Sequence, residues 1–503
     1  MLKLLIAFCS GVAASFAFAP YGLWWITPIT LAILFTLWLD CTPVQAFLRG
    51  WAFAAGLLGV GTIWIHHSMS VFGCMPLPLA LFLALLLASL MALYYGLAGF
   101  LAVRLSTHAP LHARLIASAL AFVAMEWLRS WFLTGFTWLT IGFSQIDSPL
   151  SGFAPIGGVL LVSLLSALTA ALLVVIIKGK RQHQIAAAIL IASTWTTGGL
   201  LDSKEWTRAS GTPLKVTLLQ ANIPQDQKWL PEMLEPTLQY YTSETMKHLD
   251  SDLILWPESA ITALKQRVDE SLLKPLSRKL AENKTILVTG ILTNPQGESY
   301  YNNLLSLGEN EAIYDKRHLV PFGEYFPLGY LWKESFKGLA TIGDDFTAGD
   351  ADKPLLQVNG HQAGASICYE IIFGEEIREA LPEANFLLNM SNDAWFGTTV
   401  GPLQHFEMAR MRALENGRYL LRATNTGVTA IIDPQGRVQQ RLPQFQRAEL
   451  SGTFIPYQGS TPYSRHGHLA FWLLWGALLA WVLVSNRQSE ISRHGERSEA
   501  ISK

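Results

Sequence analysis

Long apolar runs fill most of the first 200 residues of the chain, and one further run lies near its end. The runs cover about residues 4–19, 23–39, 50–65, 77–103, 115–133, 153–177, 184–200 and 469–484. A helix that crosses a bilayer needs roughly 17 to 25 mostly apolar residues. The pattern therefore predicts an α-helical membrane bundle of eight transmembrane helices, of which the first and the last are short.

From residue 214 onward, short strand-like runs alternate with amphipathic stretches, which is typical of a layered α/β domain. A length of about 250 residues is enough for such a domain to bury a full core. The predicted strands are 214–220, 253–256, 285–292, 303–307, 363–368, 386–390 and 428–432. The predicted helices are 231–249, 264–283, 373–381 and 404–417.

These patterns divide the chain into four parts. We expect a seven-helix transmembrane region at 1–201, an α/β domain at 212–460, an eighth transmembrane helix at 469–484 and a tail at 485–503. Because the tail is polar from Ser485 onward, we expect it to be disordered.

The composition supports a membrane protein with one polar domain. Only 15% of the 503 residues are charged, against about 25% in soluble proteins. Only 11 of the 75 charged residues precede residue 201. The formal net charge of −1 gives no overall field that would attract nucleic acid, so we expect no nucleic-acid partner.

The basic residues between the apolar runs predict the orientation, because Lys and Arg are retained on the cytoplasmic side of a membrane. When the runs are threaded alternately through a bilayer, one side holds only Arg129. The other side carries Lys3, Arg49, Arg104, Arg114, Lys178, Lys180, Arg181, Arg487, Arg493, Arg497 and Lys503. The α/β domain is therefore expected outside the cytoplasm.

Two features of the membrane region have more than one interpretation. The first run is either an uncleaved helix, which we favour because Pro20 follows the cleavage-like Ala17-Phe18-Ala19, or a signal peptide. Glu126 and Arg129 lie three residues apart on a predicted helix, where they form either a structural ion pair or a site near a lipid headgroup.

Three side chains in the polar domain offer a complete set of groups for acyl transfer. Glu258, Lys316 and Cys368 each follow a strand-like run, where side chains reach the open edge of a sheet. Taken singly, each has an ordinary explanation as a helix-start carboxylate, a solvated charge or a core thiol. Together they supply a base, a cation for the oxyanion and a nucleophile.

Short motifs lie around these three residues and elsewhere in the chain. They are Phe18-Ala19-Pro20-Tyr21-Gly22, Asn222-Ile223-Pro224-Gln225 with Trp229, Trp256-Pro257-Glu258, Tyr301-Asn302, Lys316 to Glu324, Cys368-Tyr369-Glu370, Asn392 to Gly397 and Arg422 to Gly427. Together these motifs resemble the nitrilase, or carbon-nitrogen hydrolase, superfamily with its Glu-Lys-Cys triad. Within it, the chain resembles the apolipoprotein N-acyltransferase family.

The resemblance implies a nitrilase-like αββα sandwich outside the cytoplasm and a bacterial inner-membrane enzyme that acts as a monomer, with no metal or other cofactor. Its partners would be a phospholipid acyl donor, which gives up its sn-1 acyl chain to a cysteine thioester, and a diacylglyceryl apolipoprotein, whose amine takes the chain. The implied catalytic residues are Glu258, Lys316 and Cys368. The alternative is a membrane-tethered amidase or nitrilase that uses water.

The resemblance also implies roles for residues around the triad. Glu324, Glu370 and Asn302 would support it, although a general structural role is equally consistent for the two glutamates. Trp229, Tyr369, Trp332 and Trp395 would contact substrate, and for Trp229 and Tyr369 packing in an aromatic core is the alternative. The apolar stretch 326–332, followed by Phe336 and Leu339, predicts an arm that dips into the membrane, with core packing as the alternative.

Overall fold

The computed structural model describes residues 1–295, 297, 299–325, 327, 346–350 and 354–501, with side chains up to residue 492. These residues divide into two compact units. A helical unit comprises Met1–His66, Pro78–Lys204 and His466–Lys503, and an α/β unit comprises His67–Leu77 and Glu205–Arg465. The α/β unit thus includes a short segment from the apolar half of the sequence.

Each of the eight apolar runs forms a helix in the helical unit. Within the described ranges, six helices are long and apolar enough to cross a membrane, and two apolar helices of 14 residues are shorter. The helices are Leu2–Ser15, Ile26–Leu39, Pro43–Gly61, Leu77–Leu105, Leu111–Arg129, Ala154–Lys178, Arg181–Asp202 and Leu469–Ile501. The apolar pattern therefore predicted the positions of these helices.

Small residues let these helices pack closely. The helix Leu77–Leu105 buries one face made of Ala80, Ala84, Ala88, Ala92, Gly96 and Gly99. A Cβ atom on Gly99 would lie 2.5 Å from the carbonyl oxygen of Ala46 on the helix Pro43–Gly61. Only glycine permits this approach of two backbones.

Glu126 and Arg129 are both buried in the helical unit and both bind the loop that follows their helix. Glu126 Oε1 accepts the N–H of Ile141 at 2.8 Å. Arg129 Nη1 donates to the carbonyls of Phe136 and Trp138 at 2.7 and 2.8 Å. These contacts support the structural interpretation of the two charges, with loop backbone as a main partner of each.

The expectation of a disordered tail is wrong for most of its length. The last helix continues from the apolar run to Ile501 instead of ending near residue 484. Residues 485–501 contain no proline, so the backbone hydrogen-bond ladder of the apolar run can continue into the polar sequence.

The α/β unit contains two six-stranded sheets. The strands of the first sheet are β2 Leu214–Gln220, β3 Leu253–Leu255, β4 Ile286–Thr293, β5 Tyr301–Leu307, β6 Ala312–Asp315 and β13 Ala448–Phe454. Those of the second are β7 Leu355–Val358, β8 His361–Ile367, β9 Phe386–Ser391, β10 Leu420–Thr424, β11 Ala430–Ile432 and β12 Val438–Arg441. The first sheet has the spatial order β13-β2-β3-β4-β5-β6, and the second has the order β12-β11-β10-β9-β8-β7. A short pair, β1 Arg208–Ala209 and β14 Tyr457–Gln458, completes the strands.

The two sheets share one core and carry helices on their outer faces. Val216 and Leu255 of the first sheet lie in the same buried cluster as Leu388 and Leu421 of the second. The alternate residues of the first sheet, such as Ile254, belong to a second cluster with the helices Pro231–Lys247 and Lys274–Glu282. The helices Gly374–Arg378 and Gly401–Asn416 contact the second sheet. The unit is an αββα sandwich.

β3 pairs in parallel with both β2 and β4, and β9 pairs in parallel with both β8 and β10. Side chains that follow the carboxyl ends of parallel strands collect at one edge of a sheet. This topology places the segments after β3, β8 and β9 where their side chains form a common site.

Candidate active site

Glu258 lies in the loop that follows β3 and is only 7% exposed. Its Oε1 accepts a hydrogen bond from Asn302 Nδ2 at 2.9 Å and lies 3.5 Å from Lys316 Nζ. Its Oε2 accepts the backbone N–H of Asn392 at 2.8 Å. Both oxygens are therefore held in place, as a positioned base requires.

Lys316 follows β6 and is fully enclosed, with an exposed side-chain fraction of 1%. Its Nζ donates to Glu324 Oε1 at 2.8 Å. Burial by itself lowers the pKa of Lys316, but the carboxylates of Glu324 and Glu258 outweigh burial and raise the pKa above its ordinary value. The side chain is a fixed positive charge beside Glu258.

Glu324 and Asn302 complete this cluster. Asn302 Nδ2 donates to both Glu258 Oε1 and Glu324 Oε1, the second at 3.2 Å. The other oxygen of Glu324 accepts the N–H of Val320 at 2.8 Å. The structure thus brings the predicted supporting residues Asn302 and Glu324 into contact with Glu258 and Lys316.

Cys368 is the first residue after β8 and begins a 3₁₀ turn that runs to Ile372. Its φ of +50° is in the left-handed region, which a non-glycine residue seldom adopts. Burial raises the pKa of the Cys368 thiol, the carboxylate of Glu258 raises it further, and the Lys316 cation opposes both. The thiol is therefore protonated at neutral pH and needs a base to become nucleophilic.

Glu370 joins the segment that carries Lys316 to the turn that carries Cys368. Its carboxylate accepts backbone N–H groups from Ile367, Arg317 and His318 at 2.6, 2.7 and 3.1 Å. It also accepts the hydroxyl of Tyr314 at 2.9 Å. Burial raises the pKa of Glu370, while these backbone donors oppose the rise. These contacts fit the predicted supporting role of Glu370, because they hold the backbone of the segments that carry Lys316 and Cys368.

The predicted substrate-contacting aromatic residues have different surroundings. Trp229 and Trp395 are 47% and 44% exposed, which does not fit core packing. Tyr369 is half-buried, and its ring centroid lies 5.2 Å from that of Phe373. Trp332 lies outside the described residues, as do Phe336, Leu339 and most of the apolar stretch 326–332. The membrane-dipping arm stays a prediction.

A buried polar network behind Cys368 had no counterpart in the residues predicted from sequence. His405 Nε2 lies 3.1 Å from the carbonyl oxygen of Cys368, and its Nδ1 lies 3.0 Å from both Asp393 Oδ1 and Arg422 Nη2. Arg422 Nη2 also donates to Asp393 Oδ2 at 2.8 Å. Asp393 and Arg422 occur in motifs that carry the family resemblance, but His405 lies mid-helix without a local signal.

Burial alone would raise the pKa of Asp393, but Arg422 and His405 hold it well below its usual range. Burial and the positive charge of Arg422 lower the pKa of His405. The network therefore keeps an ionised Asp393–Arg422 pair beneath the turn that carries the thiol. Its contact with the Cys368 carbonyl fixes the backbone of the nucleophile.

Lys228 is a second buried lysine close to the triad that the sequence analysis did not select. Its Nζ donates to the backbone carbonyl oxygen of Glu258 at 3.0 Å. It directly precedes Trp229, but its contact with Glu258 lies 30 residues away in the chain and leaves no local signal in the sequence.

Among the described residues, one group has the residue types and spacing of a metal site. It consists of Glu244, His248 and Glu449, whose ligand atoms lie within 4.8 Å of one another. His248 Nε2 lies 2.7 Å from Glu449 Oε2, and Lys247 pairs with Glu244 at 2.8 Å. These contacts account for the group as a surface ion-pair cluster, and it shares no residue with the site around Cys368.

The arrangement can perform acyl transfer through a covalent intermediate. A held carboxylate faces a permanent cation, and both act electrostatically on a protonated thiol at the start of a turn. Such a site can deprotonate the thiol and stabilise a tetrahedral oxyanion.

Two family models match different parts of the chain. The family model described as "Carbon-nitrogen hydrolase" matches residues 215–454, and the model described as "Apolipoprotein N-acyltransferase N-terminal domain" matches residues 10–172. Among solved structures, Nit3 of Saccharomyces cerevisiae, a nitrilase-superfamily member, matches 50% of this chain and 93% of its own, with 18% identity and a TM-score of 0.38.

Two relatives match nearly the whole length of the chain, and both are named apolipoprotein N-acyltransferase. The protein from Methylococcus capsulatus is 41% identical over 99% of this chain and 99% of its own length. The protein from Azotobacter vinelandii is 42% identical over 99% of this chain and 97% of its own. At this identity and coverage, with both family models matched, the chain belongs to the apolipoprotein N-acyltransferase family.

Proposed function

We propose that the protein transfers an acyl chain from the sn-1 position of a phospholipid to the N-terminal amine of a diacylglyceryl-cysteine apolipoprotein, the last step of lipoprotein maturation. Family membership supports the overall reaction. The observation that most supports the chemistry is the 3.5 Å contact between Lys316 Nζ and Glu258 Oε1, with Cys368 in the field of both.

In the first half-reaction, Glu258 takes the proton of the Cys368 thiol and the sulfur attacks the ester carbonyl carbon. Lys316 donates to the oxyanion that forms. When the carbon–oxygen bond breaks, Glu258 returns the proton to the departing oxygen, which leaves a lysophospholipid and an acyl thioester on Cys368. Glu258 is a carboxylate again.

In the second half-reaction, the neutral α-amine of the apolipoprotein attacks the thioester. Glu258 takes a proton from the attacking nitrogen and passes it to the leaving Cys368 sulfur, so that an amide forms and the free thiol returns. The amine has an ordinary pKa of roughly 7.7 to 8.0, so a useful fraction is unprotonated at neutral pH. The two half-reactions follow a ping-pong order.

The other predicted residues are assigned by their contacts. Glu324 and Asn302 hold Lys316 and Glu258, and Glu370 holds the backbone of the cysteine turn. The exposed Trp229 and Trp395, with Tyr369, would contact the lipid chains.

The proposed location is the bacterial inner membrane, with all eight apolar helices crossing it and a monomer as the working unit. The domain scheme is a seven-helix region at 1–201, a periplasmic catalytic domain at 212–460, an eighth span at 469–484 and a cytoplasmic tail at 485–503. The loop charges support this orientation. Alkaline phosphatase fused after Lys204 should be active, and a fluorescent protein fused after Lys503 should fluoresce; the reverse result would invert the topology.

A labelling experiment tests the reaction. Purified protein given phospholipid labelled in its sn-1 chain, without acceptor, should carry one label on Cys368 that neutral hydroxylamine releases. A diacylglyceryl-cysteine peptide should then discharge the label onto its amine, and an amino-blocked peptide should leave it in place. Continuous release of fatty acid, unaffected by acceptor, would instead establish the water-using hydrolase.

The matched variants are Cys368→Ala and Cys9→Ala. The first removes the proposed nucleophile, so we expect no label. Because the cysteine side chain is small, its replacement leaves little cavity, and we expect little loss of thermal stability. The second removes an exposed cysteine of the helical unit and should label normally. Normal turnover by Cys368→Ala would exclude the assigned nucleophile.

A further inference from the structure

Lys228 occupies a position in the α/β unit that the proposed reaction leaves without a role. Its side chain is 2% exposed, and its Nζ donates to the carbonyl oxygen of Glu258 at 3.0 Å. Its own backbone N–H donates to the carbonyl of Pro224 at 3.0 Å. The lysine is therefore fixed at both ends, against the backbone of the proposed base.

The ammonium group of Lys228 has donors to spare. A lysine carries three N–H donors, and within the part of the chain that the structure describes the Glu258 carbonyl is the only hydrogen-bond acceptor for this group. Buried donors are normally satisfied. A water or an oxygen of the bound substrate is the natural partner for the rest.

Lys228 differs from Lys316 in its electrostatic setting. Lys316 contacts two carboxylates, whereas Lys228 contacts a neutral carbonyl. Burial lowers the pKa of Lys228 to about 8, although Glu258 and Cys368 act in the opposite direction. Its charge is thus felt at the nucleophile and at the base, and it is lost at mildly alkaline pH.

We propose that Lys228 is a positioning residue of the active site, which holds the main chain of Glu258 and places a second positive charge beside Glu258 and Cys368 while the thiolate forms. The inference rests on the proposed function. Burying an ammonium group costs desolvation free energy that an apolar side chain would avoid. A role in positioning Glu258 explains why a lysine is nevertheless buried at this site.

The groups that face Lys228 allow its charge to be tested through pH. The described ionisable groups that act on it are Glu258 and Cys368. The pKa of Cys368 is raised far above this range by burial, and Lys316, next to Glu258, keeps its proton because its pKa is raised as well. A fall in the labelling rate above about pH 8, measured without the acceptor amine, is therefore due to deprotonation of Lys228.

The experiment measures the first half-reaction alone, as the rate of hydroxylamine-labile labelling of the full-length protein by sn-1-labelled phosphatidylethanolamine. Lys228→Met keeps the chain length and removes the charge, so the rate at saturating lipid should fall about 10²-fold with KM little changed, as expected when a catalytic group is misplaced. Lys228→Arg keeps the charge, and its labelling rate should be about tenfold or more above that of Lys228→Met. Lys247→Met, at an exposed lysine of the same unit, is the control.

The pH profile separates this role from simple packing. The wild-type labelling rate should fall above about pH 8, and Lys228→Arg should remove that limb because a guanidinium stays protonated. If Lys228→Met fails to fold, the Lys228→Arg profile decides alone. A wild-type rate in Lys228→Met, or an unchanged limb in Lys228→Arg, would overturn the inference while wild-type labelling still upheld the proposed function. No labelling of the wild type would overturn both.

Discussion

Cys368 holds a left-handed backbone conformation because buried polar groups bind the turn from two directions. Glu370 accepts the N–H of Ile367, the residue directly before Cys368. His405 contacts the carbonyl oxygen of Cys368 itself. Backbone conformations of this kind persist only where the surrounding structure imposes them. Single buried side chains thus set the geometry of the nucleophile.

The charge that keeps His405 in place is Asp393, and its loss should be costly. In Asp393→Asn the buried guanidinium of Arg422 loses its only carboxylate partner among the described side chains. Breaking a buried pair costs about 3–5 kcal/mol. We expect a clear drop in thermal stability of the detergent-solubilised protein and loss of thioester labelling.

The pH dependence of this contribution has a defined sign. Because the folded pKa of Asp393 lies well below its ordinary value, the stabilisation is complete above about pH 4 and is lost only as the pH falls below it. The difference between wild type and variant should therefore be constant from about pH 7 to 8, where His405, whose pKa is lowered, is neutral in both proteins. Asp250→Asn removes an exposed ion pair with Lys215 and should change stability little; an equal effect of both substitutions would contradict the argument.

The secondary-structure elements were predictable where the hydrophobic pattern was clear. The predicted strands at 214–220, 253–256, 285–292, 303–307 and 386–390 coincide with β2, β3, β4, β5 and β9 within two residues at either end. The predicted strand 363–368 includes Cys368, which instead begins a turn. β6, β7, β10, β12 and β13 were not predicted. β12 is exposed at three of its four residues, and β13 alternates exposed residues with buried or partly buried ones.

Some residues of the candidate site were predictable from the sequence, and others were not. Glu258, Lys316 and Cys368 stood at recognisable motifs beside strand ends, so sequence alone indicated them. Lys228 and His405 did not, because their roles depend on contacts to the main chain of distant residues. Such contacts arise from the packing of elements, and local spacing carries no trace of them.

One strand, β4, packs so closely against the loop after β3 that only glycine fits between them. A Cβ atom on Gly290 would lie 2.2 Å from the backbone nitrogen of Ser259 and 2.6 Å from the Cα of Glu258. Gly290→Ala should therefore displace Glu258, and a displacement of about 1 Å costs about 10²-fold in rate. Single-turnover labelling measures the effect.

Gly199→Ala is the matched control. Its new Cβ would meet only Pro149 Cβ, at 3.9 Å, and alanine favours the helix Arg181–Asp202. Wild-type labelling by Gly290→Ala would mean that the loop relaxes without moving the base.

At the scale of the whole molecule, the chain does not divide where its composition changes. Residues His67–Leu77 lie in sequence between two membrane-type helices, yet they belong to the α/β unit. Ser68 Oγ donates to the carbonyl of Trp395 at 2.7 Å, and the Phe72 ring packs edge-on to Trp395 with centroids 5.3 Å apart. The apolar pattern places this segment in the membrane region, because the contacts that tie it to the α/β unit lie more than 300 residues away in the chain.

This segment supports a turn that reaches the active site. Trp395 lies in the 3₁₀ turn Asp393–Phe396, and the N–H of Asn392, directly before that turn, binds Glu258 Oε2. Phe72→Ala should loosen the turn, since an aromatic pair contributes about 0.5–1.5 kcal/mol beyond area burial. If that energy holds Glu258 in place, the labelling rate should fall about two- to tenfold. The exposed Val71 of the same segment gives the control Val71→Ala, which should label normally. Equal rates for both variants and wild type would show that the segment rests on the α/β unit without shaping its site.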